Sequence, residues 1–319
     1  MQYTPIVPDH LRDSRISTDW VEANGLRFEV DMCGERSEKL ALCLHGFPEH
    51  SFSWRFQMPM LADLGYWVWA PNLRGYGGTD KPQGVSAYSL ENLTADIAGL
   101  IDASGAREVV LISHDWGGIL AWYFAIRQIR PLQRLVVCNA PHPQAMQNQR
   151  SWQQLRRSWY VFFFQIPGLA EHMLGRNAGA AMARIMRDSA LDKTNFPDEV
   201  GEVYRANAMQ PEALTAMINY YRALVRGGGA QRQRALGYPL IEVPTLMVWG
   251  EDDSALGKET TYGTEDYVRN LTIRYLPRVS HWVQQEAPEA TNAMIAAFLQ
   301  DQPVPELRWR ADLVVDAET

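Results

Sequence analysis

The stretch 109–125 constrains this chain more than any other. Val109-Val110-Leu111-Ile112 is a short apolar run rich in β-branched residues, of the kind that forms a buried strand. It stops at Ser113-His114-Asp115-Trp116-Gly117-Gly118 and passes directly into Ile119-Leu120-Ala121-Trp122-Tyr123-Phe124-Ala125, an apolar segment that reads as a buried helix. A strand that turns sharply into a helix lifts the residue at the turn clear of the backbone, and small residues must flank it. Ser113 and Gly117 fill the two small positions here, and Asp115 occupies the tip, where the commoner pattern G-x-S-x-G has serine. The exchange changes the chemistry. A serine at such a turn is acylated by its substrate; a carboxylate attacks an electrophilic alkyl carbon and becomes the acyl half of an ester.

Strand and helix patterns alternate around this turn. Trp20 to Val30 forms a hairpin about Asn24-Gly25, the sequence of a tight two-residue turn. Buried strands are expected at 40–44, 66–70 and 135–138, with helices at 52–64 and 88–103, the latter capped by Ser89. Such alternation predicts a mostly parallel sheet with helices on both faces, an α/β architecture. The rhythm breaks after 140. From there to 238 only helical patterns occur, at 150–164, 168–188, 198–209 and 211–225, and Gly227-Gly228-Gly229 reads as a flexible break. Strands resume at 245–249 and 271–276, followed by a helix at 288–299. The expected domains are therefore an α/β core at 1–140 and 239–300, a helical lid inserted at 141–238, and a C-terminal extension at 301–319, read as an extended arm or as partly disordered.

Composition narrows the function. A net charge of −7 argues against a nucleic-acid partner, and the small basic group Arg150, Arg156 and Arg157 reads as solvated helix surface. No apolar run approaches the ~18 residues of a membrane span. The first residues, Met1-Gln2-Tyr3-Thr4-Pro5, lack the basic and apolar regions of a secretion signal. Cys33, Cys43 and Cys138 have no metal-ligand spacing, and Cys43 and Cys138 lie in apolar strand-like runs as small core residues. A cytoplasmic enzyme is expected.

An aspartyl ester needs a base to hydrolyse it, and that base needs an acid to hold its tautomer. The only late histidine, His281, lies in Val279-Ser280-His281-Trp282 after the last strand, and Trp249-Gly250-Glu251-Asp252-Asp253 supplies carboxylates at the end of the strand before it. An isolated aspartate after a strand is ordinarily a helix cap, and a lone loop histidine is ordinarily structural. All three in the order nucleophile, acid, histidine, each at the carboxyl end of a strand, point to one site. Asp252 and Asp253 both remain open on spacing alone. Asn139 also sits at a strand end, but an amide cannot balance an imidazolium. His45-Gly46-Phe47-Pro48-Glu49 follows the strand at 40–44: Gly46 permits a sharp turn, and Pro48 stiffens the loop and is open to a cis peptide bond. The N–H groups of Phe47 and Trp116 are candidates for an oxyanion hole, while His45 reads as structural.

These segments, with Arg74-Gly75-Tyr76-Gly77, resemble the epoxide hydrolases of the α/β-hydrolase fold, and the resemblance runs from about Trp20 to Leu299. It implies that the acid is Asp253. It also implies two lid tyrosines: Tyr160, five residues before the glutamine of Phe164-Gln165-Ile166-Pro167-Gly168, and Tyr221, before the arginine of Asn219-Tyr220-Tyr221-Arg222, with Tyr220 as the neighbouring alternative. The implied reaction needs no metal or organic cofactor and takes a small apolar epoxide, and a homodimer is left open. The alternatives are a haloalkane dehalogenase using the same Asp-His-Asp set, against which the phenol pair argues, and a non-catalytic receptor on the same fold, against which the complete set argues. A fluoroacetate-type dehalogenase would carry an arginine where Trp116 stands, and a serine esterase would need the G-x-S-x-G that is missing. Trp152, Trp159, Phe162, Phe163, Met182, Met186 and Met217 are expected either to line the substrate cavity or to form the lid core.

Overall fold

The computed structural model describes residues 7–307. Eight strands form one sheet: β1 (Ser17–Ala23), β2 (Leu26–Cys33), β3 (Lys39–Leu44), β4 (Trp67–Pro71), β5 (Glu108–His114), β6 (Arg134–Cys138), β7 (Thr245–Gly250) and β8 (Leu271–Leu276). Their spatial order is β1-β2-β4-β3-β5-β6-β7-β8. β1 and β2 pair antiparallel through the expected hairpin, whose tip residues Asn24 and Gly25 both have positive φ, and β2 pairs antiparallel with β4. Every other pair is parallel.

The central strands are apolar along their whole length because both faces are covered. Leu40, Leu42, Leu44, Val109, Leu111, Leu135 and Val137 point into one core, under helices Leu90–Ser104 and Trp116–Ile126. Their neighbours Ala41, Cys43, Val110, Ile112, Val136 and Cys138 point into the other, under helices Gln57–Asp63 and Pro288–Leu299. Cys33 joins this second core, so all three cysteines are buried and free.

Among the described residues, helices alone occupy the chain between β6 and the bridge at Ile241. They differ in detail from the sequence expectation. The helix expected at 150–164 is two short ones, Trp152–Arg157 and Trp159–Phe163, because Ser158 ends the first and starts the second. The helix expected at 168–188 kinks at 176–179, where Asn177, Ala178 and Gly179 take left-handed conformations. Asn and Gly tolerate that region, and a Cβ on Gly179 would lie 2.5 Å from Met209 Sδ, so the kink also permits close packing. The segment 52–64 opens with a 3-10 turn before its helix begins at Gln57. Gly227-Gly228-Gly229 is a correction: it is a turn that starts a further helix, Gly229–Ala235. Residues 301–307 form an extended segment whose Val304 carbonyl accepts from Arg274, whereas 308–319 and the N-terminal 1–6 lie outside the described residues.

One buried ion pair ties the hairpin, the 74–80 loop and helix Leu90–Ser104 together. Arg74 binds Asp96 through both carboxylate oxygens (2.7 and 2.6 Å), and Asn24 donates to the same group. The Arg74 carbonyl in turn accepts from Tyr220 of the lid at 2.8 Å. Asp96→Ala strands a buried guanidinium, and it is expected to lower unfolding free energy by about 3–5 kcal/mol. Denaturant titration checks this; a loss below 1 kcal/mol, within the range of exposed pairs, contradicts it.

Candidate active site

The turn after β5 has the geometry its sequence implies. Asp115 has φ 49° and ψ −116°, an unusual conformation for a residue with a side chain, and helix Trp116–Ile126 starts immediately after it. Glycines make the room. A Cβ on Gly117 would lie 2.2 Å from the Leu44 carbonyl oxygen, one on Gly118 would lie 2.4 Å from Ala140 Cβ, and one on Gly46 would lie 2.4 Å from Asp115 Cβ. The loops after β3 and β6 therefore press directly against the elbow. Ser113 Oγ fastens it from behind by donating to the Val136 carbonyl at 2.9 Å.

Three loops bring the charged groups together. Asp115 Oδ1 accepts from the Phe47 N–H at 2.7 Å, and Asp115 Oδ2 lies 3.6 Å from His281 Nε2. His281 Nδ1 donates to Asp253 Oδ2 at 2.6 Å. Asp253 Oδ1 accepts from the N–H groups of Ala255 (2.7 Å) and Leu256 (2.9 Å). Asp253, not Asp252, reaches the histidine, and Asp252 is exposed. The charges hold one another. Burial by itself would deprotonate His281, but the carboxylates of Asp253 and Asp115 outweigh it and raise its pKa well above the usual value. Burial would likewise raise both aspartates, yet His281 holds Asp115 and Asp253 below the ordinary carboxylate range. Trp116 begins the elbow helix, whose first N–H groups have no partner within the helix.

Above this group lies a cavity of about 270 Å³ walled largely by apolar side chains, including Trp159, Phe163, Leu174, Ile185 and Trp282. Tyr160 and Tyr221 also line it, with ring centroids 5.8 Å apart and planes at 84°. Both phenols have raised pKa values, first from burial and then from the charge of Asp115. Tyr221 packs edge-on against Trp116 and Phe47. Tyr220, one residue earlier, turns away and bonds Arg74, so the two neighbours divide cleanly. Of the lid residues expected as lining or core, Trp159 and Phe163 line the cavity, while Met182, Met186 and Met217 are buried in the protein core. Trp152 and Phe162 do neither: they stand exposed, at 82% and 58%.

The supporting loop is placed as expected. The Phe47-Pro48 peptide bond is cis, and His45 is held between the Gly46 carbonyl and the Leu73 N–H. Burial lowers the His45 pKa to about 4, so it stays neutral.

Three side chains that sequence reasoning left without a role complete the site. Asn139, set aside as an acid, donates to Asp253 Oδ2 at 2.7 Å and accepts from Gly250 N–H, so it steers the carboxylate. Glu49 is fully buried and joins three loops: it accepts from Gly46 N–H, from His114 Nδ1 (2.7 Å), and from Gln284 and Gln285. His114 Nε2 bonds the His281 carbonyl at 2.9 Å. The only sequence signal was position, since Glu49 closes the motif after β3 and His114 precedes the elbow aspartate.

Comparison with known proteins identifies the family to which this fold belongs. Residues 41–288 match the family model described as alpha/beta hydrolase fold. Mouse epoxide hydrolase 4 is 36% identical over 88% of this chain and 79% of its own length. The Bacillus subtilis AB hydrolase superfamily protein YfhM is 34% identical over 90% of this chain and 99% of its own. The solved structure of Bacillus megaterium epoxide hydrolase in complex with an inhibitor superposes with TM-score 0.80 at 28% identity, covering 88% of this chain and all of that one. The chain belongs to the α/β-hydrolase fold family and, within it, to the epoxide hydrolases.

The charge arrangement has a direct test. Asp253→Asn removes the strongest attraction on the His281 proton, so the His281 pKa should fall toward or below its ordinary value of about 6.5. The pH titration of labelled histidine ring signals measures it; an unmoved His281 resonance contradicts the arrangement.

Proposed function

We propose that the protein hydrolyses an apolar epoxide to a vicinal diol through a covalent ester on Asp115, inside a core of 1–140 and 239–300 closed by a lid at 141–238. The observation that carries the reading is a buried carboxylate held by Phe47 N–H on one oxygen and facing His281 with the other, where Phe47, His281 and two phenols all line one apolar cavity.

In the first step Asp115 Oδ2, the oxygen not held by Phe47, attacks a ring carbon. A carbon–oxygen bond forms as the epoxide carbon–oxygen bond breaks, and the developing alkoxide takes a proton from Tyr160 or Tyr221. Neutral phenols suit this: with pKa values above 10 they keep their protons at pH 7 and donate only as charge appears. Once the ester has formed, His281 releases its proton to solvent; in the second step water attacks the Asp115 carbonyl carbon and gives a proton to the now neutral His281, while the N–H groups of Phe47 and Trp116 hold the oxyanion. Collapse releases the diol, which takes the proton back from His281. One oxygen from water remains in Asp115, whose new carboxylic acid passes its proton to His281, and the phenol regains its proton from solvent.

The charge pattern supports this order. Free Asp115 helps keep His281 protonated. Esterification removes that charge, so the His281 pKa drops and the ring becomes a base only once there is an ester to hydrolyse. No metal or organic cofactor enters the scheme.

A single turnover in heavy-oxygen water should leave the label in Asp115 and release unlabelled diol; label in the first diol formed would rule out the ester. Tyr160→Phe and Tyr221→Phe should each slow alkylation by about tenfold or more, and together by ~10²–10⁴-fold, read as the rate of ester formation in rapid-quench experiments. Rates within twofold of the parent would remove the phenols from the reaction. Ester hydrolysis should be fast where His281 is neutral and fall as pH drops through its pKa in the intermediate, whereas alkylation, which needs only ionised Asp115 and neutral phenols, should persist. Ester therefore accumulates at acid pH, and pH-independent hydrolysis would contradict the role given to His281.

A further inference from the structure

The lid surface beside the cavity is unusually apolar and unusually basic. Seven of the twelve strongly exposed large apolar side chains among the described residues fall between 152 and 173, including Trp152 (82%), Trp159 (63%) and Phe162 (58%). Trp152 and Leu155 are three residues apart on one short helix, and Trp159 and Phe162 three apart on the next, so each pair shares a face. Trp159 also lines the cavity, which makes the patch continuous with the substrate space.

The same region reverses the charge of the chain. The whole sequence carries −7, yet 149–176 holds four arginines and one acid. That acid, Glu171, is already bound to Arg222 through both oxygens. Arg157 leans on Glu259 at 3.6 Å, while Arg150, Arg156 and Arg176 are exposed and make no ion pair among the described residues. Arg226 adds a further cation at the edge, where its guanidinium donates to the Gln165 carbonyl beside exposed Ile166.

We propose that this lid face docks on an anionic lipid surface. Exposed tryptophan, phenylalanine and leucine on one side of short helices, rimmed by arginine, are the features that seat a protein at the headgroup boundary, and the arginines meet phosphate charge there. The charge also decides against the obvious competitor. A second copy docked on this face by a two-fold axis would set the arginine rim against itself, which disfavours pairing. The docked orientation opens the cavity toward the bilayer, where apolar epoxides concentrate; this last point rests on the reaction proposed above, but the docking does not.

The test is co-sedimentation of the full chain with vesicles of phosphatidylglycerol and phosphatidylcholine in equal parts, beside vesicles of phosphatidylcholine alone. The protein should pellet with the anionic vesicles and far less with the neutral ones. Arg156→Glu should weaken that binding about tenfold or more, and so should the double variant Trp152→Ser, Phe162→Ser. Unchanged thermal melts would show that both variants remain folded. Both should hydrolyse a water-soluble epoxide at the parent rate but lose rate on a long-chain epoxide dissolved in the anionic vesicles. No pelleting of the parent, equal pelleting of the variants, or a parent dimer in sedimentation equilibrium that the double variant dissociates would overturn the proposal. Because pelleting needs no turnover, its outcome is independent of whether the epoxide reaction is correct.

Discussion

Two carboxylates and one imidazole share a buried pocket, and the site depends on how they neutralise one another. Asp115 and Asp253 lie on either side of His281, with His281 Nδ1 at 2.6 Å from one and Nε2 at 3.6 Å from the other. Any one of these groups alone would be costly to bury in its charged form. Together each holds the other in the state the proposed chemistry requires, with anionic nucleophile, anionic acid and cationic histidine before substrate reacts. Much of the surrounding structure serves to fix this arrangement. Asn139 and the Ala255 and Leu256 amides aim Asp253, Phe47 aims Asp115, and Glu49 with His114 locks the loop that carries His281.

The parallel sheet explains why such distant residues meet. Asp115, Asn139, Asp253 and His281 follow β5, β6, β7 and β8, four neighbours in one sheet, so their loops emerge side by side at the same edge. Glycine then sets how closely the loops can approach. Gly46, Gly117 and Gly250 each sit where a Cβ would collide with backbone or with Asp115, and a Cβ on Gly250 would lie 2.0 Å from the Ser280 carbonyl oxygen. The lid lies across this edge and is pinned to the core by Tyr220 on Arg74, Trp282 on Ser189 and Tyr204 on Gln285.

Much of this was legible in the residues. The elbow could be read because a β-branched run, two small residues and a buried helix leave few other folds, and the charged set because each member ends a strand. Choosing Asp253 over Asp252 and Tyr221 over Tyr220 needed the resemblance, since adjacent residues have the same composition and spacing. The geometry separates them by direction: Asp252 faces solvent and Tyr220 faces Arg74. The role of Glu49 was not legible, because a buried carboxylate that joins loops leaves no periodic trace. The lid helices were misjudged where Ser158 and the 176–179 kink interrupt them, since tertiary packing sets those breaks. Trp152 and Phe162 mark the opposite failure: apolar character implied an interior position, and the structure leaves both in solvent.

The covalent ester is the claim on which the account turns. His281→Gln keeps Asp115 as nucleophile and removes the base, so a mixture of this variant with an epoxide should gain the full mass of the substrate, and peptide mapping should place it on Asp115. A variant that binds and consumes the epoxide with no added mass on Asp115 would contradict the account.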